Sequence, residues 1–257
     1  MILAAWNVNS LNVRLPRLLA WLAAHTPDVV CLQETKLEDH KFPVVDVAAA
    51  GYSAHFAGQK TYNGVAILVR KGLSVTDVAA GIPGFADDQK RVIAATVAGV
   101  RVVDFYVPNG QSVDSDKYRY KLDWCRAATA FLASELARYP SLAVVGDFNI
   151  APEDRDVHDP ALWAGQVLCT VPERDAFRAF LAAGLKDSFR LFDQPPATFS
   201  WWDYRQLAFP KNRGLRIDHI LLSAPLAARC TASRIDRNER KGEKPSDHAP
   251  VLVELMD

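Results

Sequence analysis

Arg91–Val107 reads RVIAATVAGVRVVDFYV. Two runs rich in valine, isoleucine and aromatic residues flank a short turn, which predicts paired antiparallel strands over Arg91–Val97 and Arg101–Val107. Upstream, Gly64–Arg70 and Val75–Ala79 extend the pattern into a meander. Strands following one another so closely argue against a purely parallel, doubly wound sheet. Outward from this core, Ile2–Trp6 is a strand candidate, and Asp28–Leu32 (DVVCL) and Leu142–Asp147 have the composition of fully buried strands. Three helices are interleaved with them. Arg14–His25 carries Leu15, Leu18, Leu19 and Leu22 at helical spacing. Tyr118–Tyr139 has one stripe of Leu122, Cys125, Thr129, Leu132 and Leu136, stopped by Pro140. Glu173–Ala183 begins after Pro172 and ends at Gly184. The tail supplies strands near Ile217–Ser223, Ala227–Arg234 and Ala249–Leu255. Two packed mixed sheets with helices outside, an α/β sandwich, is the expected fold.

No Gly/Ser- or Pro-rich linker divides the 257 residues, so one domain over 1–257 is expected. A helix leads into a buried strand twice, at DVVCLQET (Asp28–Thr35) and LAVVGDFN (Leu142–Asn149), a faint internal echo. Thirty basic residues balance thirty acidic ones, and 49% of the chain is hydrophobic. This is ordinary globular composition, and zero net charge excludes an indiscriminate polyanion binder while leaving room for a local basic surface. The four cysteines, Cys31, Cys125, Cys169 and Cys230, form no CxxC pair and read as free thiols. With no basic leader and no apolar run near the roughly 20 residues that span a bilayer, a cytoplasmic protein without membrane contact is expected.

The chemistry collects at strand ends. ILAAW runs into Asn7-Val8-Asn9-Ser10, VVCL into Gln33-Glu34-Thr35, and LAVVG into Asp147-Phe148-Asn149. VVDFYV carries Tyr106 before Pro108-Asn109-Gly110, Asp218 lies in Arg216-Ile217-Asp218-His219, and Ser246-Asp247-His248 precedes the last strand. Each cluster has an ordinary reading when taken singly. Asp and Asn make turns and caps, Asp247-His248 fits a solvated loop, and Tyr106 fits a core. Glu34, directly after a buried run, has no such turn role, and the joint pattern is the feature that points to a site. A rim of carboxylates, amides, one imidazole and one phenol suits a hard divalent cation, Mg²⁺ or Mn²⁺, together with a phosphate. No HExxH or Cys/His spacing indicates zinc, no GxSxG indicates a covalent serine, and no Walker loop is present. Water is the expected nucleophile.

Six motifs in order carry a resemblance: Trp6–Leu11 (WNVNSL), Leu32–Lys36 (LQETK), Tyr106–Gly110 (YVPNG), Gly146–Asn149 (GDFN), Phe199–Arg205 with Arg213–Asp218, and Ser246–Pro250 (SDHAP). The chain resembles the exonuclease III family of DNA-repair nucleases, within the endonuclease/exonuclease/phosphatase superfamily. The resemblance implies a four-layer sandwich with a deoxyribonuclease I-like fold, divalent-metal dependence, and cleavage of duplex DNA at abasic sites or 3′ ends. It implies metal ligation by Glu34, with Asn7, Asn9 and Asp247 nearby and Asp147, Asn149 and His248 at a second position. It also implies catalytic roles for Tyr106, Asp147, Asn149, Asp218 and His248, with Asp147 in proton transfer and Asp218 fixing the His248 imidazole. Asn9 stands where some relatives carry Asp. A phosphatase on the same scaffold and a non-catalytic DNA-binding relative are the competing readings.

From Arg205 to Lys244 ten basic residues face four acidic ones, a local excess of six that suits a phosphate backbone. Asn109, Lys117, Lys121, Lys211 and Arg213 are the expected DNA contacts. Phe199, Trp201, Trp202 and Leu215 have a core-packing reading, and by resemblance some of them wall a narrow apolar pocket for a flipped, base-less sugar. A monomer acting on double-stranded DNA is expected.

Overall fold

The computed structural model describes residues 1–256. Its strands are β1 (Ile2–Asn7), β2 (Val29–Gln33), β3 (Tyr52–Ala57), β4 (Val65–Arg70), β5 (Val75–Ala80), β6 (Val92–Val97), β7 (Val100–Tyr106), β8 (Leu142–Asp147), β9 (Leu185–Asp187), β10 (Asp218–Ser223), β11 (Cys230–Ile235) and β12 (Val251–Leu255). Its α-helices are α1 (Leu11–His25), α2 (Val44–Ala49), α3 (Asp116–Arg138), α4 (Pro160–Trp163), α5 (Val171–Ala182) and α6 (Ala224–Arg229).

The strands form two six-stranded sheets, ordered β11-β12-β1-β2-β4-β3 and β5-β6-β7-β8-β10-β9. Apolar side chains on the inner faces, including Leu3, Cys31 and Ile67 of one sheet and Ile93, Val102 and Val145 of the other, make the central core. The outer face of the first sheet packs on Leu18, Trp21 and Leu22 of α1, and that of the second on Trp124, Leu132, Phe177 and Phe180 of α3 and α5. This is the four-layer α/β sandwich expected, because strands apolar on both faces need cover on both sides.

The predicted meander is split between the sheets. β5, β6 and β7 pair antiparallel as expected, but β4 pairs with β2 and β3. The turn at Lys71-Gly72 crosses from one sheet to the other, and spacing alone does not distinguish a crossing from a hairpin. The weak echo in the sequence has a structural counterpart. In each sheet a parallel pair joined by a helix (β1-α1-β2, β7-α3-β8) sits between antiparallel neighbours in matching order. No helix among the described residues is long and apolar enough to cross a membrane.

Candidate active site

Both parallel pairs point their C-terminal ends at one rim, so Asn7 and Glu34 from the first sheet meet Tyr106 and Asp147 from the second. Asn7 links the sheets: its Nδ2 donates to Glu34 Oε1 at 3.0 Å and to Asp147 Oδ2 at 2.9 Å. Asn149 grips the same carboxylate, its backbone N–H on Oδ1 at 2.9 Å and its Nδ2 on Oδ2 at 3.1 Å. Asn109 Nδ2 in turn donates to Asn149 Oδ1 at 3.0 Å. Across the rim, His248 Nδ1 lies 2.9 Å from Asp218 Oδ2, and its Nε2 is 3.8 Å from Asp147 Oδ2. Asp247 accepts from Asn9 Nδ2 at 2.9 Å and from Trp201 Nε1 at 3.0 Å. Every residue expected at the catalytic rim is therefore at one place.

Backbone strain aims these groups. Asn9, Ser10, Glu34, Lys36 and Asn149 all have positive φ, a conformation costly for residues with a Cβ and concentrated at functional sites. The chain pins it with hydrogen bonds between the motif loops: Ser10 N–H to Glu34 O and Leu11 N–H to Thr35 O, with Thr35 N–H to Gly64 O.

Burial governs the charges. It raises the Asp147 carboxyl to about 7, with Asp218 pushing the same way against His248 and Asn7. Burial alone would keep His248 neutral, but Asp218 and Asp147 outweigh it and raise the imidazole to about 10. Tyr106 is driven well above its ordinary value by burial and by Glu34, so it stays a phenol. For Glu34, burial is overcome by Lys36 and the Asn7 hydrogen bond, which hold the carboxyl below the usual range.

Lys36, to which the sequence pattern assigns no role, supplies the test of whether a metal fits. Its Nζ sits 2.9 Å from Glu34 Oε2 and donates to Asn9 Oδ1 at 2.6 Å. A cationic group thus already occupies the point where two hard oxygens converge. The donors at the rim are carboxylate and amide oxygens, the set preferred by Mg²⁺ and Mn²⁺. Asn7 is also engaged within the rim: its Oδ1 accepts from Asn9 N–H while its Nδ2 holds Glu34 and Asp147. Among the described residues, Asp147, Asp218 and His248 offer ligand atoms close enough to one another to share an ion.

The expected DNA contacts divide. Asn109, Lys117, Lys211 and Arg213 are exposed, and Trp201 is half-buried. Lys121 is not at the surface: it is fully buried and paired with an equally buried Glu173, because its side of α3 faces α5. Phe199, Trp202 and Leu215 are also buried, in packing behind the rim. The basic segment presents less charge than its count suggests. Arg216 is held inside by Asp156 and Asp187, and Arg240 is buried against the carbonyls of Ser246 and Trp202. Two clefts flank the rim. One, of about 620 Å³, includes Tyr62, Arg91, Tyr106, Asn109, Lys117 and Tyr120. The other, of about 520 Å³, includes His158, Trp163, Trp201 and Arg213.

Two matched sheets with a carboxylate, amide and imidazole rim at their common end define an α/β sandwich of the deoxyribonuclease I-like class, built for phosphate-ester hydrolysis. The chain belongs to the Endonuclease/Exonuclease/phosphatase family, whose model matches residues 4–248. It is 36% identical to exodeoxyribonuclease III of Haemophilus influenzae over 98% of each chain. Among solved structures it is similar to a 3′ phosphatase from Neisseria bound to a product DNA hairpin, at 46% identity, TM-score 0.97 and full coverage of both chains. It is also similar to an AP endonuclease from Archaeoglobus fulgidus, at 36% identity, TM-score 0.95 and full coverage of both chains.

Proposed function

We propose that this nuclease of the exonuclease III type is a DNA-repair hydrolase that uses Mg²⁺ or Mn²⁺ to cleave duplex DNA 5′ to abasic sites and to remove nucleotides or phosphate from 3′ ends. The observation that carries the reading is the Asn7 bridge, which brings Glu34 of one sheet and Asp147 of the other to a single amide. Asn9, Asp247 and Glu34 would hold the ion, which when bound neutralises the phosphate and polarises its bond to the leaving oxygen.

The other roles rest on the protein's own groups. Asp147, raised to about 7 by burial, accepts a proton from water near neutrality while Asn7 and Asn149 hold its orientation. His248, kept cationic by Asp218, donates to a non-bridging phosphate oxygen. Tyr106, kept protonated, contacts the phosphate or the leaving oxygen. Lys117 and Asn109, which line one cleft, and Arg213, which lines the other, would together with the exposed Lys211 follow the backbone of a duplex lying across both clefts. A monomer suffices for this arrangement.

The deciding experiment compares three duplexes: one with a tetrahydrofuran abasic analogue, one with a recessed 3′-phosphate, and an undamaged recessed end. Incision or 3′ trimming is expected with Mg²⁺ or Mn²⁺, lost in EDTA and restored by the metal. Cleavage that persists in EDTA would remove the metal from the reaction. The similarity to a 3′ phosphatase makes the 3′-phosphate duplex the sharpest arm: activity there without incision at the abasic analogue would restrict the enzyme to 3′ ends.

A further inference from the structure

Lys121 and Glu173 both have fully buried side chains. Lys121 Nζ donates three hydrogen bonds: to Glu173 Oε1 at 2.5 Å, to Asn149 O at 2.6 Å and to Asn109 O at 3.1 Å. Those use all three ammonium donors. Glu173 is equally committed. Its Oε1 also accepts from Leu168 N–H at 3.0 Å, and its Oε2 accepts from Thr170 N–H at 3.0 Å and Thr170 Oγ1 at 2.7 Å. It thereby closes the capping box at the start of α5.

Stability alone is a weak reason for such a pair, since apolar residues of similar volume often serve as well. The choice of partners is more informative. Both carbonyls belong to loops leaving the rim, one after β7 and one after β8. The side chains of the same two residues form the next links: Asn109 Nδ2 to Asn149 Oδ1, then Asn149 Nδ2 to Asp147 Oδ2. Asn149 holds a left-handed conformation at φ 50°; its amide is tied to Val107 O, Asp147 and Asn109, and the Lys121 bond to its carbonyl fixes the strained backbone from which that amide is aimed. We propose that the buried Lys121–Glu173 pair is a positioning device that sets the Asn149 amide and, through it, the Asp147 carboxylate. This rests on Asp147 being the proton acceptor proposed above.

The test is steady-state cleavage of the abasic-analogue duplex, or of the 3′-phosphate duplex if that is the better substrate, by the intact protein with Mg²⁺. Lys121→Met/Glu173→Gln removes both charges together and leaves neither buried without a partner. Its expected signature is a kcat at least ~10-fold below wild type with KM changed less than ~3-fold, because misplacement affects the reacting geometry more than binding. Asn149→Ala, added to that background, should cost less than about a third of the fold-loss it causes alone, since coupled groups are not additive. Thr170→Val, which removes the hydroxyl's bonds to Glu173 Oε2, Glu173 N–H and the Tyr118 hydroxyl but leaves the Lys121–Glu173 pair in place, is a milder probe should the double variant fold poorly. It should lower kcat by roughly two- to fivefold with the same unchanged KM.

Wild-type kcat in either folded variant overturns the proposal. So does a loss matched by a rise in KM and a fall in Tm, or full additivity with Asn149→Ala. A wild-type protein inactive on all three duplexes would instead overturn the functional reading, which keeps the two failures distinct.

Discussion

Lys36 Nζ bridges the Glu34 carboxylate and the Asn9 amide oxygen at 2.9 and 2.6 Å, so the same oxygens are offered to an ammonium and to a divalent ion. Removing the ammonium removes a competitor and a like charge. Lys36→Met is expected to tighten Mn²⁺ binding by about 10-fold or more, read by titration calorimetry, as a unit charge a few ångströms away contributes on the order of a kcal/mol or more. Unchanged or weaker binding would show that Lys36 instead orders the ligands. Glu34→Gln should weaken Mn²⁺ binding in the same assay. Asp147→Asn should keep duplex affinity within ~3-fold while kcat falls by about 10²–10⁴, the range of a lost general base. A near-normal rate would place the proton elsewhere. The residues of the rim were legible because Glu34, Asp147 and Asp247 lie at the ends of buried runs. Lys36 was not, since a lysine after a strand ordinarily reads as solvated and only the positive φ at Glu34 and Lys36 turns it inward.

At the scale of elements, β8 shows how closely the strands approach beside the rim. Gly146 has φ 129°, and a Cβ there would lie 2.1 Å from Phe105 O and 3.0 Å from Asp104 Oδ1 on β7. Gly146→Ala should therefore force β7 from β8 and lower Tm by at least ~5 °C, with kcat falling as Tyr106 and Asp147 separate. Scanning calorimetry that returned a wild-type Tm would contradict this packing. The long elements were predicted to within a few residues because their apolar period is strong: Tyr118–Tyr139 against Asp116–Arg138, and Arg101–Val107 against Val100–Tyr106. The short ones escaped. β3 is half-exposed along its length, and α2 and α6 have six residues each, too few for a period to declare itself.

On the scale of the whole molecule, a histidine buried behind the site makes stability depend on acid. Burial and the adjacent Arg216 guanidinium lower His219 to about 4. Its unfolded value is near 6.5, so between these values the unfolded chain binds more protons. The stabilisation from neutral His219 is complete above about pH 6.5 and is lost as pH falls towards 4, a difference of about 3 kcal/mol. His248 works in the opposite window: raised to about 10, its contribution is complete below about 6.5 and fades as pH rises through 10. Urea unfolding at pH 7 and 4.5 should show wild type losing more stability than His219→Gln. Parallel losses would remove His219 as the cause. Net charge illustrates the same division between chain and fold. Thirty against thirty is a property of the sequence, yet Arg216 and Arg240 lie inside and only the remaining cations of the 205–244 segment can meet a phosphate backbone.

By itself the chain determined the α/β class, the order of its long elements, and the polar groups at their ends. These are local properties, written in the apolar period and in the polar residues that terminate each buried run. Tertiary structure alone decided that β4 leaves the meander for the other sheet, that Lys121 turns inward to Glu173, and that Phe199 and Trp202 pack behind the rim. It also decided that Asn7 joins two carboxylates 27 and 140 residues away. Each of these depends on which surfaces meet, and that is set when both sheets bury their inner faces together.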